Sequence, residues 1–198
     1  MGARCGVTAD DAIAMWVADM DFRAPDVVQN ALQEMIAHGV YGYHGDDGNS
    51  TNPQIPSIAG QPKLFIETQL VLFREELRKS EQMLPVVKGM KDAEIVKLAE
   101  HFSKLPAKGM EGGAPDKSLM KTGQERAKAL RCGICHTSDF GGQNQIPRLA
   151  GQREAYLEAE MRAYRDGKRT GGDTIMAAAL YGVSDADIKA LAHFLSRR

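Results

Sequence analysis

Cys132-Gly133-Ile134-Cys135-His136 is where the types and spacing of side chains could do chemistry. Two thiols three residues apart on one helical turn can add to the two vinyl groups of a haem. The adjacent histidine then offers its imidazole to the iron from the same side. Two other readings of the cysteine pair stay open at this level. A redox-active Cys-x-x-Cys pair wants a βαβ context, which the sequence lacks. Half of a zinc site wants a second Cys or His pair at close spacing, also lacking.

Haem iron in an electron carrier takes a second axial ligand, and a thioether raises its potential. Met176 is the candidate, 40 residues after His136 in a Gly/Thr-rich stretch expected to be loop. Met161 competes, but its helical spacing argues for the core. His193, in the last expected helix, reads as a surface or packing residue.

These residues must be held by something. Helical apolar spacing recurs along the chain. It covers Val27, Val28, Ala31, Leu32, Met35 and Ile36, then Phe65, Ile66, Leu70, Phe73 and Leu77 after Pro62, then about Asp92 to Leu105. Further helices are expected over about 118–131 and 153–166, with a last one beginning at Ser184, whose hydroxyl can cap it. Residues 41–61 and 137–152 read as loops, and the Gly/Pro-rich stretch 106–116 as a linker. Alternating strand patterns are absent, so the fold is expected to be all-α.

The order of features repeats. Ile55-Pro56-Ser57-Ile58-Ala59-Gly60-Gln61 matches Ile146-Pro147-Arg148-Leu149-Ala150-Gly151-Gln152, and Asp92-Ala93-Glu94-Ile95 matches Asp185-Ala186-Asp187-Ile188. His44 corresponds to His136 and Met83 to Met176, at offsets of 91 to 93 residues throughout. Two copies of one small unit in tandem follow from this.

Residues 117–198 resemble class I c-type cytochromes, especially the C-terminal half of two-domain dihaem cytochromes of bacterial respiratory chains. The matching features are Gly123, Cys132 to His136, Ile146-Pro147, Ala150-Gly151-Gln152, Arg165-Asp166-Gly167-Lys168-Arg169 and Met176. The resemblance implies one covalent haem c on Cys132 and Cys135, with His136 and Met176 as axial ligands. Residues 44–105 resemble the N-terminal half of the same family through His44-Gly45-Asp46-Asp47-Gly48-Asn49-Ser50 and Met83. Val40 and Tyr43 stand at the two cysteine positions, so this half cannot attach haem covalently. His44 and Met83 are weak candidates for holding a second, loose haem. The implied fold is two tandem class I cytochrome c-like domains, 44–105 (degenerate) and 117–198, joined by the linker 106–116.

Ahead of them, Met15-Trp16-Val17-Ala18-Asp19-Met20-Asp21-Phe22-Arg23-Ala24-Pro25 and His38-Gly39-Val40-Tyr41-Gly42-Tyr43 resemble the N-terminus of cystathionine β-lyase-like pyridoxal-phosphate enzymes. Those enzymes need a Schiff-base lysine and a large domain, so the activity does not follow. Residues 1–43 read as a leader joined to a cytochrome. Its segment 26–38 is expected to form a helix packed on Ile95, Leu98 and Phe102.

Composition bounds the function. The chain has 198 residues and net charge −1, without the basic excess of a nucleic-acid binder. No apolar run approaches the roughly 18 residues of a membrane span. Charge is uneven: residues 1–50 carry net −6, 51–116 net 0 and 117–198 net +5. The basic half favours a redox protein partner with an acidic docking surface. The resemblance implies a periplasmic, non-enzymatic electron carrier, although no signal-peptide pattern opens the chain. The alternative is a haem-free or partly folded interaction protein.

Overall fold

In the computed structural model, the described residues are 47–109, 113–172 and 174–198. The leader and its expected helix over 26–38 lie outside them, as does His44. Every regular element among the described residues is helical, and an isolated bridge joins Gln143 and Ile146.

The first half contains α1 (Lys63–Arg74), α2 (Leu84–Val87) and α3 (Asp92–Lys104). α1 and α3 pack together and bury Ile66 and Leu70 against Ile95, Leu98 and Phe102. Those last three, the expected seat for the leader, therefore already sit in this half's own core. The chain leaves α1 at Arg74, and Glu76 adopts left-handed backbone at φ 56°. That turn takes Leu77 off the expected apolar stripe and leaves it 59% exposed.

The second half contains α4 (Lys117–Ala129), α5 (Cys132–His136), α6 (Glu154–Arg165), α7 (Thr174–Leu180) and α8 (Asp185–Ser196). Asp116 caps α4 by accepting from the Ser118 and Leu119 amides, at 2.8 and 3.0 Å. Ser184 caps α8 by accepting from the Asp187 amide at 3.1 Å, as its position in the sequence predicts. α8 is the central post, packed on both α4 and α6. The crossing with α4 is tightest at Gly123. A Cβ there would lie 2.1 Å from the Ala190 carbonyl oxygen and 2.5 Å from the Phe194 Cβ.

His193 ties three elements together. It is 7% exposed, its Nδ1 faces both Glu154 carboxylate oxygens at 3.1 Å, and its Nε2 accepts from the Asp116 amide at 3.0 Å. It is a packing residue, in keeping with its sequence reading.

The two halves meet through pairs of residues 91 positions apart. The Gln61 amide group donates to the Arg148 carbonyl at 3.0 Å and accepts from the Arg148 amide at 2.9 Å. Gln152 does the same to Ser57, at 2.9 and 2.7 Å. A second crossing joins Arg78 and Gln69 to Arg169 and Glu160. Arg169 Nε donates to Glu160 at 2.6 Å and Arg78 Nη1 to Gln69 at 2.6 Å, while Arg78 and Arg169 also reach across to Glu160 and Gln69. Each arginine also lies over an aromatic ring of its own half, Phe73 or Tyr164, and those rings are again 91 positions apart. The interface thus has pseudo-twofold symmetry.

Gln152→Ala would leave both backbone groups of buried Ser57 without their partner. Each orphaned group costs about 1–3 kcal/mol. The variant should show a lower denaturation midpoint and faster hydrogen exchange at the Ser57 amide. Unchanged exchange there would mean that water replaces the glutamine at no cost.

Candidate functional site

The site begins at a strained turn. Arg131 leaves α4 in left-handed backbone, φ 58°, and α5 starts on the next residue. Thr137, Phe140 and Asn144 also have positive φ, so four of the five such non-glycine residues described fall within 131–144. Asparagine tolerates such backbone, but for Arg131, Thr137 and Phe140 it costs about 1–3 kcal/mol each. Strain concentrated in one segment marks it as held for a purpose. The loop is pinned from within. Gly141 donates to Thr137 Oγ1 and Asp139 Oδ1, both at 3.0 Å, and the Gln143 side chain donates to the Cys135 carbonyl at 3.1 Å.

Gly142, at φ 77°, lets the loop fold back on α5. A Cβ there would lie 2.5 Å from the Arg148 nitrogen and the Pro147 carbonyl carbon. The result is a hydrogen bond between His136 Nδ1 and the Pro147 carbonyl at 2.9 Å. The carbonyl can only accept, so Nδ1 carries the proton and Nε2 keeps its lone pair. His136 is 4% exposed, and burial pushes its pKa below the ordinary histidine range. It is therefore a neutral imidazole fixed in one tautomer, the form that ligates a metal.

The two cysteines differ. Cys132 is half-buried and borders the core of the second half, and burial pushes its thiol pKa up. Cys135 is exposed. Met176 borders the same apolar cluster as Cys132, alongside Leu157, Met161 and Leu180. It lies on α7, not in the loop expected from its Gly/Thr-rich surroundings. α6 packs against this seven-residue helix of Thr, Ile, Met, Ala and Leu, and tertiary packing of this kind stabilises short helices. Met161 is 8% exposed on α6, a core residue as its spacing predicts. In the first half, Met83 precedes α2 and borders the Ile66–Phe102 cluster.

Arg148 is the residue that spacing did not mark out. Its guanidinium is buried, donates to the Ala59 carbonyl at 3.0 Å and to the Ala150 carbonyl, and has no partner for Nε. No carboxylate pairs with it among the described residues, and burial lowers its pKa. A buried cation without a counter-charge is costly. The propionate carboxylates of a haem would supply that charge. Histidine tautomer, two free thiols on one short helix, bordering methionine and a buried guanidinium without a carboxylate partner together fit haem c. Among the described residues, no cluster of three His, Cys, Asp or Glu could hold a metal ion directly.

Comparison with known proteins places this site in a class. The family model of cytochrome c matches residues 120–197. Cytochrome c4 of Thiocapsa roseopersicina is 31% identical over 182 residues, which is 87% of this chain and 94% of that protein. The crystal structure of reduced recombinant cytochrome c4 from Pseudomonas stutzeri superposes with a TM-score of 0.73 at 27% identity, covering 83% of this chain and 97% of that one. The chain belongs to the cytochrome c4 family, whose members transfer electrons through haem c. A short stretch has another relative. Cystathionine beta-lyase PatB of Bacillus subtilis is 54% identical over 46 residues, 23% of this chain and 11% of that protein. No helix among the described residues is long and apolar enough to cross a membrane.

Proposed function

We propose that the chain is a one-electron carrier with a single haem c, held by the second half alone. Cys132 and Cys135 would form the two thioether bonds. His136 Nε2 and the Met176 sulfur would be the axial ligands. The observation that carries this reading is the His136–Pro147 hydrogen bond, on the helix that bears both cysteines. It leaves one ring nitrogen free and unprotonated.

The haem supplies reversible one-electron chemistry at its iron. The protein's own part is binding and environment. The Pro147 carbonyl holds the imidazole proton on Nδ1 and so fixes the ring. Leu157, Met161 and Leu180 keep water from the cluster that Met176 and Cys132 border. Arg148 would compensate a propionate. On this reading the protein passes electrons between partners and is a carrier, not an enzyme. The first half, without cysteines at positions 40 and 43, serves as a packed partner domain. Periplasmic location and a respiratory redox partner with an acidic surface go with this reading.

Intact mass after expression with the haem-attachment machinery should give the polypeptide plus one haem. Visible bands should survive acid–acetone extraction. A second haem per chain that acid–acetone does extract would restore His44 and Met83 as a second site, and a haem-free product would favour the interaction-protein alternative.

A further inference from the structure

α5 also borders a surface depression of about 470 Å³. Its apolar part comes from Ala127, Ile134, Phe140 and Phe194. The two phenylalanine rings meet edge to face at 5.8 Å, and Ile134 is 69% exposed. Three cations stand around it: Lys128, Arg131 and Arg198. Arg198 lies 5.3 Å from the Phe194 ring, and none of the three is paired with a carboxylate among the described residues. No acidic residue lines the depression. The depression on α3 in the first half is different. Glu100 lines it and pairs with Lys104 at 2.5 Å.

We propose that the depression beside α5 seats an acidic segment of the redox partner, with one apolar side chain over Ile134 and carboxylates against Lys128, Arg131 and Arg198. The proposal rests on the electron-carrier reading and names where its partner docks. The charge argument is local as well as global: an acid-free seat in a half of net +5. Rim charges mainly set encounter rate and selectivity, so the apolar centre must hold the bound segment. A nucleic acid fits less well, because Phe140 and Phe194 are 8% and 4% exposed and offer no ring face for base stacking. Gly133 and Ile134 lie between the two cysteines, so a partner seated here rests on the helix proposed to bear the haem.

The test is amide-shift mapping on the ¹⁵N-labelled protein, expressed with the haem-attachment machinery. The probe is a synthetic acidic pentapeptide with a central leucine. Saturable shifts are expected at Ile134, Phe140 and Phe194. Affinity should fall on the order of tenfold or more in the double variant Lys128→Glu/Arg131→Glu. A peptide with serine in place of leucine should bind more weakly. Shifts spread over the other basic residues, equal binding of the serine peptide, or the same shifts from phosphatidylglycerol vesicles or an RNA oligonucleotide would overturn the proposal. The visible spectrum of the same sample separates the two readings. Haem bands without shifts at the depression defeat the docking site alone. Peptide binding without haem bands defeats the electron-carrier reading, and the assignment of a redox partner with it.

Discussion

Gly123→Ala is expected to destabilise the second half by about 1–3 kcal/mol, the range found when a packed core is overfilled. The sign makes this informative. At an exposed helical position the same change stabilises by about 1 kcal/mol, because alanine has the better helix propensity. At Gly123 the new methyl would sit 2.1 Å from the Ala190 carbonyl oxygen, a backbone atom that no rotamer change can move. α4 and α8 must separate for it to fit, and α8 also carries Leu191, Leu195 and Phe194 into the core. Thermal denaturation should show a midpoint lowered by roughly 4 °C or more. A raised midpoint would mean that the crossing is looser than described and that propensity decides.

Met176→Ala is expected to remove the weak near-red charge-transfer band of the oxidised protein, which reports a thioether–iron bond. It should lower the reduction potential by on the order of 0.1 V or more, within the roughly 0.8 V that axial ligation spans. Water or a more polar ligand would replace sulfur. Met161→Ala is the control, since Met161 belongs to the cluster that Met176 borders. Met161 is the more deeply buried, so its loss should leave a cavity costing about 2–5 kcal/mol while the band stays. If the two variants exchange phenotypes, Met161 is the ligand and Met176 the packing residue.

Features carried by neighbouring residues could be read from the chain. Cys132, Cys135 and His136 fall within five consecutive residues, so their shared turn needed no tertiary information. Ser184 announced the start of α8 because a cap and its target lie three residues apart. The tandem arrangement was visible because Ala-Gly-Gln recurs with its surroundings. What the sequence hid were contacts to backbone atoms of distant segments. The Pro147 carbonyl that orients His136 has no side-chain signature. The pairing of Gln61 and Gln152 with peptide groups of the other half was equally silent, although the glutamine's recurrence in both copies was the available clue. Leu77 misled because helical spacing continues past the point where Glu76 turns the chain. Met176 misled because Gly and Thr before it suggested loop, while Ala177 to Leu180 extend a short helix held by α6.

The 91-residue pairing across the interface has a consequence for how such a chain can change. Contacts of this kind are isologous, the arrangement two identical subunits would make about a dyad. A patch that complements itself survives duplication and fusion intact, because each copy brings both halves of every clasp. None of the clasping residues is a cysteine or stands at positions 40, 43 or 44. The cysteines proposed to attach haem and the residues that clasp the halves are therefore separate positions of the same repeat, with Arg148 alone facing both tasks. One copy can lose its chemistry, or exchange its whole N-terminal segment for foreign sequence, and still dock as a subunit would.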